Sequence, residues 1–154
     1  LSKLSAGILV YNVPSDDQLK VLLVHPGGPH WKNKDEGAWS IPKGEYEEGE
    51  DALSAAKREF KEEMGIEVPD TTYIPLEPAK IKSGKVITAW AIQAEIDLRF
   101  IQSNQFEMEW PPRSGKKQFF PEVDKSEWFS IEEARVKINN GQAALLEQLV
   151  AIVK

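Results

Sequence analysis

No cysteine occurs among the 154 residues, which excludes disulfides, thiol nucleophiles and cysteine-based zinc sites. The same absence is compatible with a reducing compartment, and a cytoplasmic location is the expectation. Histidine is nearly as scarce: His25 and His30 are the two in the chain, and neither forms a nucleophile pair with anything visible. With no Gly-x-Ser-x-Gly either, covalent acyl transfer has no support. Gly27-Gly28 lacks the spacing of a phosphate-binding glycine loop. No run of about 18 apolar residues exists, so no membrane-spanning helix is expected. Leu1 to Leu4 lead straight into a strand pattern, so no signal peptide is expected. An excess of positive charge is missing too. With 19 basic residues against 25 acidic ones the net charge is −6, which argues against general nucleic-acid binding by phosphate neutralisation.

What remains is an ordinary globular composition, 41% hydrophobic and 29% charged, long enough for one domain over residues 1–154 with a real core. Residues 6–11 and 19–24 are rich in branched side chains and read as strands, with a turn at 12–18 closing a hairpin. The Pro- and Gly-bearing stretch 25–38 reads as a loop, and 39–41 as a short strand. A helix is expected from Glu50 to Met64, stopped by Gly65. A turn with a short strand follows at 68–76. The longest strand lies within 85–98, with Ile81 preceding it across a Ser83-Gly84 turn. Residues 104–121 read as a long loop, aromatic and then basic. A strand at 127–130 and helices at 131–138 and 142–153 complete the chain. Strands and helices interleave, so the expected architecture is α/β: an α/β/α sandwich around a mixed sheet.

The acidity is concentrated between Glu45 and Glu67. Glu59, Glu62 and Glu63 fall within one turn of the expected helix, where like charges repel. At about 100° per residue they share a sector with Ala52, Ala55 and Ala56, beside an apolar stripe of Leu53, Phe60 and Met64. Lys57 and Lys61 lie on the far side. Carboxylates set beside a packed surface need pairing or metal coordination. Oxygen-only ligands select a hard divalent ion, Mg²⁺ or Mn²⁺. Such an ion would also invert the local charge for an anionic substrate.

The run Gly44-x5-Glu50-x7-Arg58-Glu59-Phe60-x-Glu62-Glu63-x-Gly65-Ile66 resembles the signature of the Nudix hydrolases over residues 44–66, with every specified position filled. Trp39-Ser40-Ile41-Pro42-Lys43-Gly44 is similar to the lead-in of the dinucleoside polyphosphate and diphosphoinositol polyphosphate branches. Residues 122–129 and 131–134 are similar to the family's late strand and closing helix. The resemblance implies a Nudix-type sandwich and a MutT-like hydrolase that cleaves a phosphoanhydride. It implies metal binding and base catalysis by Glu59, Glu62 and Glu63, and a metal-ligating carbonyl from Lys43. It also implies an auxiliary metal ligand or base at Glu122.

Arg58 is placed to hold the carboxylates by bidentate hydrogen bonds, or else to pair with Glu62 on the surface. Lys43 can offer its ammonium to a phosphate. Arg113, Lys116 and Lys117 form a basic stretch suited to steering phosphates. Trp31, Trp39, Phe106 and Trp110 are candidates for stacking on a nucleobase. The substrate expected is a small phosphoanhydride, with dinucleoside polyphosphates and diphosphoinositol phosphates first and nucleoside triphosphates next. RNA 5′ ends come third and are disfavoured by the net charge. A catalytically silent Nudix-fold nucleotide sensor is the non-enzyme alternative, weakened by the presence of all the box glutamates. Nothing in the sequence fixes an oligomeric state.

Overall fold

The computed structural model describes residues 3–14, 18–81 and 83–153. Strand β1 (Leu4–Asn12) and strand β2 (Lys20–Pro26) form the expected antiparallel hairpin. Residues 15–17 of its turn lie outside the described residues. Strand β3 (Lys43–Tyr46) pairs antiparallel with the first half of β1. Helix α1 (Ala52–Met64) follows. Its N-cap Asp51 accepts the Ser54 N–H at 2.9 Å, and Gly65, at φ 73°, closes it by donating its N–H to the Lys61 carbonyl. That left-handed conformation suits glycine and makes the Gly65 stop sharp.

Two short strands, β4 (Ile74–Pro75) and β5 (Ala79–Lys80), pair antiparallel with β6 (Val86–Gln93), which runs parallel to β1. Strands β7 (Gln105–Glu109) and β8 (Lys117–Pro121) form a separate antiparallel hairpin. Strand β9 (Val123–Ser130) pairs with β2 at the sheet edge. Helices α2 (Ile131–Lys137) and α3 (Ala143–Val153) end the chain. No helix among the described residues is long and apolar enough to cross a membrane.

Helix α1 covers one face of the mixed sheet, burying Ala55, Ala56, Phe60 and Met64 against Ile8, Val10, Leu22 and Ile92. Helices α2 and α3 cover the other, where Ala134, Leu145, Leu146 and Leu149 meet Leu9, Leu23 and Phe129. Because both faces are covered, β1 and β2 are buried along nearly their whole length, which explains their unbroken apolar runs. This is the expected α/β/α sandwich.

Strands β1 and β2 part toward the start of β1, and the chain before α1 enters the fork. Ile8 donates its N–H to the Pro42 carbonyl at 3.0 Å, while Val24 and Ser40 exchange bonds of 2.8 and 2.9 Å. Gly7 lines the crotch: a Cβ there would crowd Pro42 and Lys43. This wedge sets the stretch from Lys43 onward beneath α1.

Several expectations are corrected. Residues 39–41 make isolated bridges, Trp39 to Ile138 and Ser40 to Val24, because the paired strand begins at Lys43. The stretch 104–121 is not a loop but the β7–β8 hairpin, whose inward Phe106 and Phe120 pack together with ring centroids 6.0 Å apart. The strand expected within 85–98 ends at Gln93, and Asp97 caps a short 3₁₀ turn at Leu98–Phe100. Strand β9 begins four residues earlier than expected, at Val123.

Candidate active site

The faces that α1 does not bury carry Glu59, Glu62 and Glu63, all partly enclosed. Glu59 folds over Gly44, where a Cβ would overlap its carboxylate, so glycine is required there for the helix and β3 to meet. Glu63 reaches the same strand and accepts the Lys43 N–H at 3.2 Å. Glu122, between β8 and β9, joins them: it shares with Lys43 and Glu63 a cavity of about 250 Å³.

The electrostatics follow from this crowding. Burial pushes the Glu63 carboxyl up to about 8, against the pull of Lys43, with Glu122 and Glu59 adding to the rise. Burial and then the Glu62 charge hold Glu59 above the ordinary carboxyl range, with Arg58 opposing. Burial and the Glu62 charge likewise raise Glu122. Burial lowers the Lys43 ammonium, with Glu63 the main compensating charge. Perturbed groups gathered at a cavity mark a functional site.

Arg58 directs Nε and Nη2 to one oxygen of Glu59, at 3.4 and 3.2 Å, and Nη1 to Glu50. Its Nη2 also lies 3.4 Å from the Glu45 carbonyl oxygen. The surface pairing with Glu62 is therefore replaced by Glu50 and Glu59, because the side chain runs back toward the start of the helix. Among the described residues no three acidic or histidine side chains are grouped closely enough to hold a metal ion as they stand. The carboxylates are instead engaged singly, Glu59 by Arg58 and Glu63 by the Lys43 amide.

Trp39 is corrected as a substrate contact. It is 2% exposed, its indole N–H donates to Asp35 at 2.8 Å, and its ring meets His25 and Phe129 edge-on. Trp31, at 37% exposure, is the aromatic residue that lines the cavity instead. Arg113, Lys116 and Lys117 belong to the far end of the β7–β8 hairpin and do not line that cavity. Phe106 packs on Gly28, and Trp110 packs on His30 with ring centroids 5.6 Å apart.

Sequence reasoning missed Asn139 and Gln142, which also line the cavity. Buried Gln142 accepts the Ile41 N–H at 3.0 Å and donates to the Ser40 hydroxyl at 2.9 Å, fixing the wedge from behind. The signal available was a lone amide after an Asn-Asn-Gly break, which on its own indicates only a turn.

Comparison with known proteins gives one family and a consistent fold. A family model for the NUDIX domain matches residues 2–149. No curated protein matches the chain. Among solved structures, the binary complex of a C. elegans Ap4A hydrolase superposes with a TM-score of 0.65 at 23% identity, covering 97% of each chain. A mutT/nudix family protein from Listeria innocua gives 0.65 at 17%, covering 98% of this chain and 93% of that one. The NUDIX domain of Shewanella oneidensis NrtR, complexed with ADP ribose, gives 0.64 at 17%, covering 100% and 90%.

Proposed function

The chain belongs to the Nudix family of phosphoanhydride hydrolases, and from that premise we propose that it is a Mg²⁺- or Mn²⁺-dependent pyrophosphohydrolase of nucleoside diphosphate-linked substrates. Dinucleoside polyphosphates and nucleoside triphosphates are the favoured substrates. The observation that carries this reading is the meeting of Lys43, Glu63 and Glu122 at one cavity, with Glu59 folded over the adjoining Gly44 and all three carboxyls held above the ordinary range. Their oxygen donors suit a hard divalent ion. So does the cradle that Gly44 leaves for the Glu59 carboxylate.

Glu59, Glu62, Glu63, Glu122 and the Lys43 carbonyl would hold the metal. When bound, it would neutralise non-bridging phosphate oxygens and acidify a water. Arg58 orients Glu59 through its two N–H groups. A carboxylate of the set accepts the proton of the attacking water, a role that suits groups whose proton affinity is raised toward neutrality. Lys43, enclosed at the cavity, supplies positive charge on the phosphate side. Trp31 offers a ring face to a base, and Arg113 and Lys116 act at longer range by drawing in anionic substrate.

A hydrolysis screen over nucleotides and inositol pyrophosphates, with products identified by mass, tests the proposal. Turnover should need Mg²⁺, and in ¹⁸O-labelled water the label should appear on a phosphate product. Full turnover by metal-stripped protein in excess EDTA would overturn the metal role. A second reading, a Nudix-fold nucleotide-binding sensor, draws on the likeness to the NUDIX domain of Shewanella oneidensis NrtR complexed with ADP ribose. Tight binding of ADP-ribose without turnover in Mg²⁺ would establish that reading.

A further inference from the structure

Two acidic residues of the site come from distant stretches, Glu62 on α1 and Glu122 before β9, and one residue joins their backbones. Asn104 donates its N–H to the Glu62 carbonyl at 2.7 Å, and its own carbonyl accepts the Glu122 N–H at 2.8 Å. Gln102 donates to the Met64 carbonyl at 3.1 Å. Gly65 admits this segment, since a Cβ there would overlap the Gln102 carbonyl. Residues 102–104 thus staple the end of α1 to the start of β9.

The staple has one side chain at its centre. Ser103 Oγ accepts the Val123 N–H at 3.1 Å and lies 3.1 Å from the Val123 carbonyl and 2.9 Å from the Asn104 carbonyl. A hydroxyl with one proton and two lone pairs can serve both the N–H and a carbonyl. The β2–β9 register shifts here, between His25 and Pro26, and the two chains stay joined through Gly27, which donates its N–H to the Glu122 carbonyl at 3.0 Å. The N–H and carbonyl of Val123 both face Ser103, so the hydroxyl holds β9 at the residue directly after Glu122.

We propose that Ser103 is a positioning residue for hydrolysis, holding the Glu122 carboxylate in register with Glu62 and Glu63 by fixing the Val123 and Asn104 peptides. This rests on the reading of Glu122 as a member of the hydrolytic set. It assigns a role to a residue outside the lining of the Lys43–Glu63–Glu122 cavity. Misplacement of a catalytic group by about 1 Å lowers rates on the order of a hundredfold, so a lost clamp should appear in turnover before it appears in affinity.

The test compares Ser103→Thr with Ser103→Val, a pair of similar shape that differs in the hydroxyl, alone and combined with Glu122→Gln. Thr should keep wild-type kcat, whereas Val should lower it by roughly ten- to a hundredfold with little change in KM. In the Glu122→Gln background, Ser103→Val should lower kcat no further, because the effect runs through Glu122. Amide hydrogen exchange of the metal-free protein gives a readout independent of activity. In the Val variant the Val123, Glu122 and Asn104 amides should exchange about tenfold faster, with Phe60 in mid-α1 unchanged. Equal kcat for Thr and Val variants, a full multiplicative loss in the double variant, or faster exchange spread through α1 would each overturn the proposal. A wild-type kcat for Glu122→Gln would remove Glu122 from the set and the inference with it. Absence of any hydrolysis in the wild type would strike at the underlying function instead.

Discussion

Glu63 is the group whose ionisation the fold opposes most, and Glu63→Gln isolates that opposition. Its carboxyl titrates near 8 in the folded chain, against an ordinary 4.5. Below the ordinary value both folded and unfolded chains hold the proton, and the group contributes equally to each. Between 4.5 and 8 the unfolded chain has released the proton and the folded one has not. Stability of the metal-free protein therefore falls as pH rises through this window, by up to about 1.4 kcal/mol per pH unit. From about pH 5.5 to about pH 7.0 the loss is about 2 kcal/mol, a drop in Tm of roughly 4–8 °C for a domain of this size. The glutamine variant has nothing to ionise at this position, yet its amide oxygen can still accept the Lys43 N–H that Glu63 accepts at 3.2 Å. It should lose this slope and be the more stable protein at pH 7 and above, while its turnover nearly vanishes. Glu59 and Glu122 are raised in the same direction, so the quantity to read is the difference in slope between the two proteins. Melting curves at several pH values, in EDTA and in Mg²⁺, measure it. Mg²⁺ should raise the wild-type Tm more at pH 8 than at pH 6, and raise the variant's less at both. Parallel slopes in EDTA, or a variant less stable than wild type at pH 7, would refute the reasoning.

Gly44→Ala places a methyl group on the Glu59 carboxylate. It should cost about 1–3 kcal/mol and most of the activity, as checked by melting and by Mg²⁺-dependent turnover. Trp39→Phe removes a buried indole N–H bonded to Asp35 and should lower stability by about 1–2 kcal/mol while leaving KM unchanged below the melting range. Trp31→Ala should do the opposite, raising KM with little change in Tm. Neutralising Arg113 and Lys116 together should raise KM more than it lowers kcat, with the effect shrinking as salt increases. Unchanged constants would reduce that end of the hairpin to a solubilising surface.

Helix α1 was the most legible element because an apolar stripe through Phe60 and Met64 agrees with a glycine stop at Gly65; its start was less so, since the expectation began at Glu50 whereas Asp51 caps a helix that begins at Ala52. The glutamates could be placed from the same periodicity, beside the packed face. Strand β3 escaped notice because Lys-Gly-Glu-Tyr carries no hydrophobic alternation; its partner is supplied by the fork in β1 and β2, a tertiary fact. The β7–β8 hairpin was legible but overlooked, since Phe106 and Met108 alternate with Gln105, Glu107 and Glu109. Trp39 and Trp31 look alike in sequence and differ in burial, which depends on where the wedge lands. Arg58 has acidic neighbours on several sides, and helix spacing alone could not predict that Glu50 and Glu59 would prevail over Glu62. Residues 102–104 work mainly through peptide groups, which every residue but proline carries in full, so no side-chain pattern could announce them.

The fork in the sheet ties the order of folding to the birth of the site. Near the turn, Tyr11 and Val21 meet across a short loop, a closure that demands little chain entropy. At the open end, β1 has no edge partner on that side until residues much later in the chain arrive to fill the gap. Those late arrivals, Lys43 and Gly44, are also the floor on which the glutamates rest. Completing the pairing of β1 therefore also seats the Lys43 and Gly44 backbone against which Glu63 and Glu59 rest. Variants that weaken the wedge at Pro42 to Gly44 should show slower folding and lost activity as one phenotype, whereas variants in the turn should shift stability with the site intact.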